Sequence, residues 1–179
     1  MKKEHSQRSR VSTSGFSLVE LLVSMGLFSV VVSVAVGGFI GALRSQRQAA
    51  ALVAAESNVS FAIEQIAREI RTGHYFCDGT NTTCASPSEL AFVDGNGATV
   101  FYRLNNESIE QSVGGNANFQ KITGDNVSVR YLVFRLQGNL RNDNFPPRVT
   151  ISVGVAPKAS PLLSPVRLQT TVSARILDS

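Results

Sequence analysis

One stretch constrains this chain more than any other. From Phe16 to Leu43 the sequence runs for 28 residues with a single charged side chain, Glu20, and residues 21–43 contain none. About 20 apolar residues cross a bilayer as an α-helix, so the run is long enough to span. A buried core helix is one alternative, but core helices rarely extend this far without a polar face. A cleavable secretory signal is another. Its small-x-small site would be Ala35-Val36-Gly37, which lies inside the run with Phe39 and Ile40 still to come. The run also exceeds the roughly 7–15 apolar residues that such signals use.

The chain has 179 residues, which makes one modest domain with an appendage. Its net charge of +4 is unevenly placed. Lys2, Lys3, Arg8 and Arg10 against Glu4 put +3 into residues 1–15, leaving +1 for residues 16–179. A basic segment ahead of an apolar run holds the N-terminus in the cytoplasm. Arg44 and Arg47 on the far side weaken that preference without reversing it. A body with almost no basic excess argues against a nucleic-acid partner.

Glu20 is the informative residue. A carboxylate at the bilayer centre costs roughly 2.5–3.5 kcal/mol, so such groups usually have a partner. Glu20 stands about one turn into the run, where the cost is smaller and the helix dipole favours a negative charge. Taken alone, it has the alternative reading of an interfacial glutamate at a helix start. It does not stand alone. Ser14-Gly15-Phe16-Ser17-Leu18-Val19-Glu20-Leu21-Leu22-Val23 resembles the processing signature of type IV prepilins and type II secretion pseudopilins. The shared elements are a short basic leader, Gly15, Phe16, Glu20 four residues later, and the apolar helix.

The resemblance implies that a prepilin peptidase cuts between Gly15 and Phe16 and N-methylates Phe16. Gly15 would let the backbone enter the peptidase site, where a Cβ would intrude. Glu20 would pair with the free amine of Phe16 on a neighbouring subunit, offsetting the cost of a carboxylate in lipid. The implied partners are that peptidase, other pilins or pseudopilins through the N-terminal helix, an inner-membrane assembly platform and the lipid bilayer.

Residues 44–72 contain neither Pro nor Gly. Val59, Ile63, Ile66 and Ile70 recur at helical spacing on one face, and Glu64 and Arg68 form an i,i+4 pair on another. The helix is expected to continue to Thr72 and stop at Gly73. Run from Phe16 without a break, it would make a rod of about 85 Å. Gly26, Gly37, Gly38 and Gly41 fit close helix–helix packing or simple tolerance of glycine in lipid.

Beyond Gly73 the period changes from 3.6 to 2. Val127, Val129, Tyr131 and Val133 alternate with Ser128, Arg130 and Leu132, although Phe134 and Leu136 make the second face apolar too. Val149–Val155 and Leu168–Ile176 repeat the alternation. These are half-buried antiparallel strands. Asp94-Gly95-Asn96-Gly97 reads as a hairpin turn, and Pro146-Pro147 and Pro157–Pro165 as loops. No helical pattern alternates with the strands, which excludes a parallel sheet. The apolar stripe on the stem is the available cover for the sheet.

The expected fold is α+β, a pilin-like ladle. It divides into a cleaved leader (1–15), a transmembrane or filament-core helix (16–43), an amphipathic continuation (44–72) and an antiparallel β head (73–179). The segment around Ile66–Arg71 and the closing strand look most like J-type pseudopilins and W-type minor pilins. Cys77 and Cys84, placed outside the cytoplasm, favour a disulfide over a metal site, because no second Cys or His pair is near. His74 reads as a helix-end residue. Asp94 and Asn96 read as turn residues, with too few ligands for calcium. No partner arrangement is evident for Glu107 or Glu110. Without a nucleophile elbow, phosphate loop or metal cluster, no enzyme, cofactor or metal is expected. A structural minor pilin or pseudopilin at the tip or initiation complex of a filament is the leading expectation. A filament- or membrane-displayed binding module, an adhesin or DNA-uptake receptor, is the alternative.

Overall fold

The computed structural model describes residues 15–139, 145–159 and 164–175. The leader residues 1–14 and Ile176 lie outside the described residues, as do parts of the two loops before β6 and β7. The chain divides into two compact units at Gln46/Arg47. Helix α1 (Leu18–Thr72) contributes to both.

In the first unit, α1 is apolar on every side and exposed throughout, from Leu18 (78%) to Phe39 (65%). A window of mean hydropathy 2.3, with none of its residues buried, identifies it as one helix long and apolar enough to cross a membrane. Its serines do not break that character. Ser29 and Ser33 donate their hydroxyls back to the Met25 and Ser29 carbonyls, each at 2.8 Å, so those donors are satisfied within the helix.

The second unit has an ordinary core, and its part of α1 supplies the cover. Val59, Ile63, Ile66 and Ile70 are all buried, joined by Ala55, Ala62 and Ala67. Gly73 ends the helix for a packing reason and not through a left-handed turn. A Cβ there would stand 2.6 Å from Phe92 Cδ2. The chain then pairs at once with the sheet, His74 and Val93 exchanging backbone hydrogen bonds of 2.9 Å.

The head departs from a single sheet. Strands β1 (Glu89–Val93), β2 (Thr99–Asn105), β3 (Ser108–Val113) and β4 (Gln120–Lys121) form one antiparallel sheet in that order. Strands β5 (Val127–Gln137), β6 (Arg148–Pro157) and β7 (Val166–Ser173) form another. The free edge of β5 touches the segments flanking the first sheet through the Val129 and Phe134 N–H groups, which donate at 2.8 Å to the carbonyls of Glu107, in the β2–β3 turn, and Pro87, ahead of β1. Both sheets and the helix share one core cluster. Pro157 closes β6 and does not lie in the following loop, and β7 ends at Ser173 with Ala174 buried beyond it.

One strand faces differently from its alternation. A β-bulge between Val129 and Tyr131 advances β5 by one residue. Val127 and Val129 point inward, but beyond the bulge Leu132 and Phe134 take over the core. Tyr131 and Val133, which the alternation put inside, turn to the outer face. A bulge shifts the two-residue phase of everything after it.

Candidate processing and assembly site

The segment Gly15–Leu21 builds the start of α1. Ser17 is the cap, its Oγ accepting the Glu20 N–H at 3.2 Å, and its carbonyl accepting the Leu21 N–H at 3.2 Å. Ser17-Leu18-Val19-Glu20 therefore has the spacing of a capping box, with Glu20 three residues past the cap. An acidic residue there is favoured by the helix dipole and by the N–H groups that the first turn leaves without a partner. Local helix chemistry thus explains why an acid is tolerated at position 20. Its carboxylate forms no ion pair with any described residue.

Gly15 and Phe16 lack an equivalent local reason. A Cβ at position 15 would meet nothing within 4 Å. Phe16 is 82% exposed, a large ring without contacts to hold it. The fold itself demands neither a glycine at 15 nor an aromatic at 16. The same holds for the bare apolar helix that follows, since exposed apolar surface of this extent marks contact with lipid or other helices.

In the head, Cys77 and Cys84 stand at disulfide distance, their Cα atoms 5.4 Å apart. Between them Asp78 organises the loop. Its Oδ1 accepts the backbone N–H groups of Thr80, Asn81 and Thr82 at 3.1, 2.8 and 3.0 Å. Burial raises the Asp78 pKa, but these donors outweigh it and hold the carboxyl below its usual value. Thr82 donates its hydroxyl to the Tyr75 carbonyl, tying the loop to the helix exit. Asp94 is a turn residue, its Oδ1 accepting the Asn96 and Ala98 N–H groups at 2.9 and 2.8 Å. His74 sits at the helix exit with a buried, unpaired Nδ1.

Two carboxylates gain partners that the sequence did not disclose. Glu107 accepts from Arg130 at 2.9 Å and from Ser128 at 2.8 Å. Glu110 pairs with Arg103 at 2.9 Å, across adjacent strands. Glu64 and Arg68 pair at 2.6 Å as their i,i+4 spacing suggests.

A polar network centred on a buried phenol also escaped sequence reasoning. Tyr102, fully buried, donates its phenol to Glu69 Oε2 at 2.7 Å. Gln111 donates to both Glu69 oxygens at 3.0 Å and to the Tyr102 oxygen at 2.8 Å, while Gln65 donates to Gln111 at 3.0 Å. Burial, followed by the bond to Glu69 and its charge, drives the Tyr102 pKa far above the phenol range. The phenol is therefore a permanent donor, and the network pins α1 to β2 and β3. Its one sequence signal was a glutamate and a glutamine next to the apolar stripe.

Residues 10–36 match the family model of the prokaryotic N-terminal methylation motif. No curated protein and no solved structure matches the chain. The motif implies processing by prepilin peptidase and assembly with other pilins. With the one helix among the described residues that is long and apolar enough to cross a membrane, it fits an inner-membrane-anchored pilin. The segment that opens α1 is therefore the type IV prepilin and pseudopilin signature, and it supports a pilin- or pseudopilin-type subunit.

Proposed function

We propose that the chain is a minor pilin or pseudopilin, trimmed between Gly15 and Phe16, methylated on Phe16, and inserted by its helix into a type IV pilus or type II secretion pseudopilus. One observation carries the reading. A wholly exposed apolar helix begins directly behind a glycine and a phenylalanine that the fold does not require, and bears one ionisable group, Glu20.

In this reading the leader, residues 1–15, stays in the cytoplasm, held by Lys2, Lys3, Arg8 and Arg10. Residues 16–43 span the inner membrane, residues 44–72 continue the stem, and residues 73–179 form the extracytoplasmic head. A disulfide between Cys77 and Cys84 suits that compartment. During assembly the Phe16 amine of one subunit meets Glu20 of its neighbour, so neither charge stays unpaired in lipid. A place at the tip or initiation complex follows from the likeness to J-type and W-type chains.

The direct test is the intact mass and N-terminal sequence of the protein purified from its native membranes. A chain starting at methylated Phe16 is the expected result. A start near Gly38, or an uncut Met1, would overturn the reading. Gly15→Val should leave the leader attached, and normal trimming of that variant would exclude the peptidase.

A further inference from the structure

The outer face of β5–β6–β7 collects cations that form no ion pair with any acid among the described residues. Cross-strand register sets Tyr131, Gly154 and Arg167 in one row, and Val133, Ser152 and Gln169 in the next. Arg135, Thr150 and Thr171 follow, then Gln137, Arg148 and Ser173. The three strands contain no Asp or Glu. Arg135, Arg148 and Arg167 are exposed, and none forms an ion pair with a described residue.

The near-neutral charge of the body concealed this. Residues 73–126 hold six Asp+Glu to two Lys+Arg, whereas residues 127–179 hold seven Lys+Arg to two Asp+Glu. Those opposite charges do not meet as two free surfaces. Glu107, Glu110 and Asp125 are paired with arginine or lysine, and Asp78 and Asp94 accept backbone N–H groups. These five acids of a second copy are therefore already engaged.

The bulge adds an aromatic platform. Turned outward, the Tyr131 ring lies over Gly154, where a Cβ would stand 2.6 Å from Cδ1 and 2.9 Å from Cζ. An open cleft of about 520 Å³ runs past Tyr131, Arg135, Gln137, Thr150 and Ser152. With rows about 6.6 Å apart and strands about 4.8 Å apart, Arg135 lies about 8 Å from Arg148 and about 16 Å from Arg167 along the sheet. One small anion would not bridge that spread, but an extended polyanion would.

We propose that this face binds single-stranded nucleic acid. The three guanidiniums take phosphates, for which their forked donors are suited, and Tyr131 stacks on an unpaired base. An acidic polysaccharide would supply charge but no π-face for the ring, and a duplex would keep its bases stacked inside. The inference stands apart from the processing reading, because the surface belongs to the head whatever carries it.

The test is fluorescence anisotropy of a fluorescein-labelled oligothymidylate with the full chain in a neutral detergent. The leader cations are removed in the background variant (Lys2→Gln, Lys3→Gln, Arg8→Gln, Arg10→Gln), so only the body is read. Three phosphate contacts give a log–log salt slope of about −2, or roughly an 18-fold loss of affinity from about 50 to about 200 mM salt. Arg135→Gln alone should flatten that slope by about 0.7. Combining it with Arg148→Gln and Arg167→Gln should abolish binding, with an unchanged circular dichroism melt to show an intact fold. Tyr131→Ala should weaken binding about tenfold and leave the slope unchanged. Binding by the triple variant equal to the background would overturn the proposal. So would duplex binding as tight as single-strand binding with Tyr131→Ala silent. Displacement by a polyuronate at lower charge concentration than by oligothymidylate would assign the face to acidic sugars instead.

Discussion

At the scale of single residues, Glu20 shows how one side chain serves two demands. Its place three residues past Ser17 suits the helix start. Its charge then needs a second partner once the helix enters lipid. The two demands separate under Glu20→Val. The valine lengthens the apolar run, so membrane insertion should persist, while incorporation into filaments should fall sharply. Membrane fractionation and immunoblotting of sheared filaments read the two independently, and undiminished incorporation would remove the Phe16–Glu20 pair from the account. Asp78 gives a second residue-scale expectation. Its folded-state pKa is depressed below 3.8 by the Thr80, Asn81 and Thr82 donors. Such a group stabilises the fold above its unfolded pKa, and the contribution is lost as pH falls through the lower folded value. Asp78→Asn keeps the acceptor oxygen without the charge. Urea midpoints of the two proteins should therefore differ near neutrality and converge on acidification below about pH 4. A gap independent of pH would mean that the charge contributes nothing.

At the scale of elements, legibility followed periodicity. The stripe Val59, Ile63, Ile66 and Ile70 is written at helical spacing and is buried as that spacing requires. The β1–β2 hairpin was marked by its Asp-Gly-Asn-Gly turn, and β6 by clean alternation. Strand β3 was hidden because Ser108–Val113 is largely polar, and its turn from β2 uses Asn106 and Glu107 at φ of 47° and 58°. Glutamate is an uncommon residue in that region, so the turn carried no familiar signal. The bulge in β5 was hidden for a related reason. With both faces of Val127–Leu136 apolar, the composition did not fix which residues faced in. The helix–sheet network was invisible because its members are far apart in sequence, Glu69 meeting Tyr102 and Gln111 only in the fold. That network makes its own prediction. Tyr102→Phe removes a buried donor to a carboxylate and keeps the ring's packing, so it should cost about 2 kcal/mol in urea unfolding. Glu69→Gln, made together with it, should add much less than its effect alone, since coupled partners are not additive. A neutral Tyr102→Phe would show that water replaces the phenol.

At the scale of the whole molecule, the two units carry different surfaces. The core cluster draws entirely on Ala55 to Ala174, all within the unit that begins at Arg47. No buried residue comes from the helix before Gln46. Nothing in the head's core therefore depends on the apolar helix, and a chain lacking residues 1–46 keeps every buried contact. Its helix retains Arg47 to Thr72, long enough to carry the full stripe, and its remaining exposed apolar residues, such as Val53 and Phe61, are scattered. Scattered apolar side chains are ordinary on a soluble surface, whereas the unbroken run from Phe16 to Leu43 is not. The truncated chain should accordingly be soluble without detergent, elute as a monomer in gel filtration, and unfold in one cooperative transition. Its near-ultraviolet circular dichroism should match that of the full chain in detergent. Aggregation of the truncated chain, or a broad non-cooperative melt, would mean that the apolar helix supports the head, and that the head's stability is tied to the membrane or filament holding that helix.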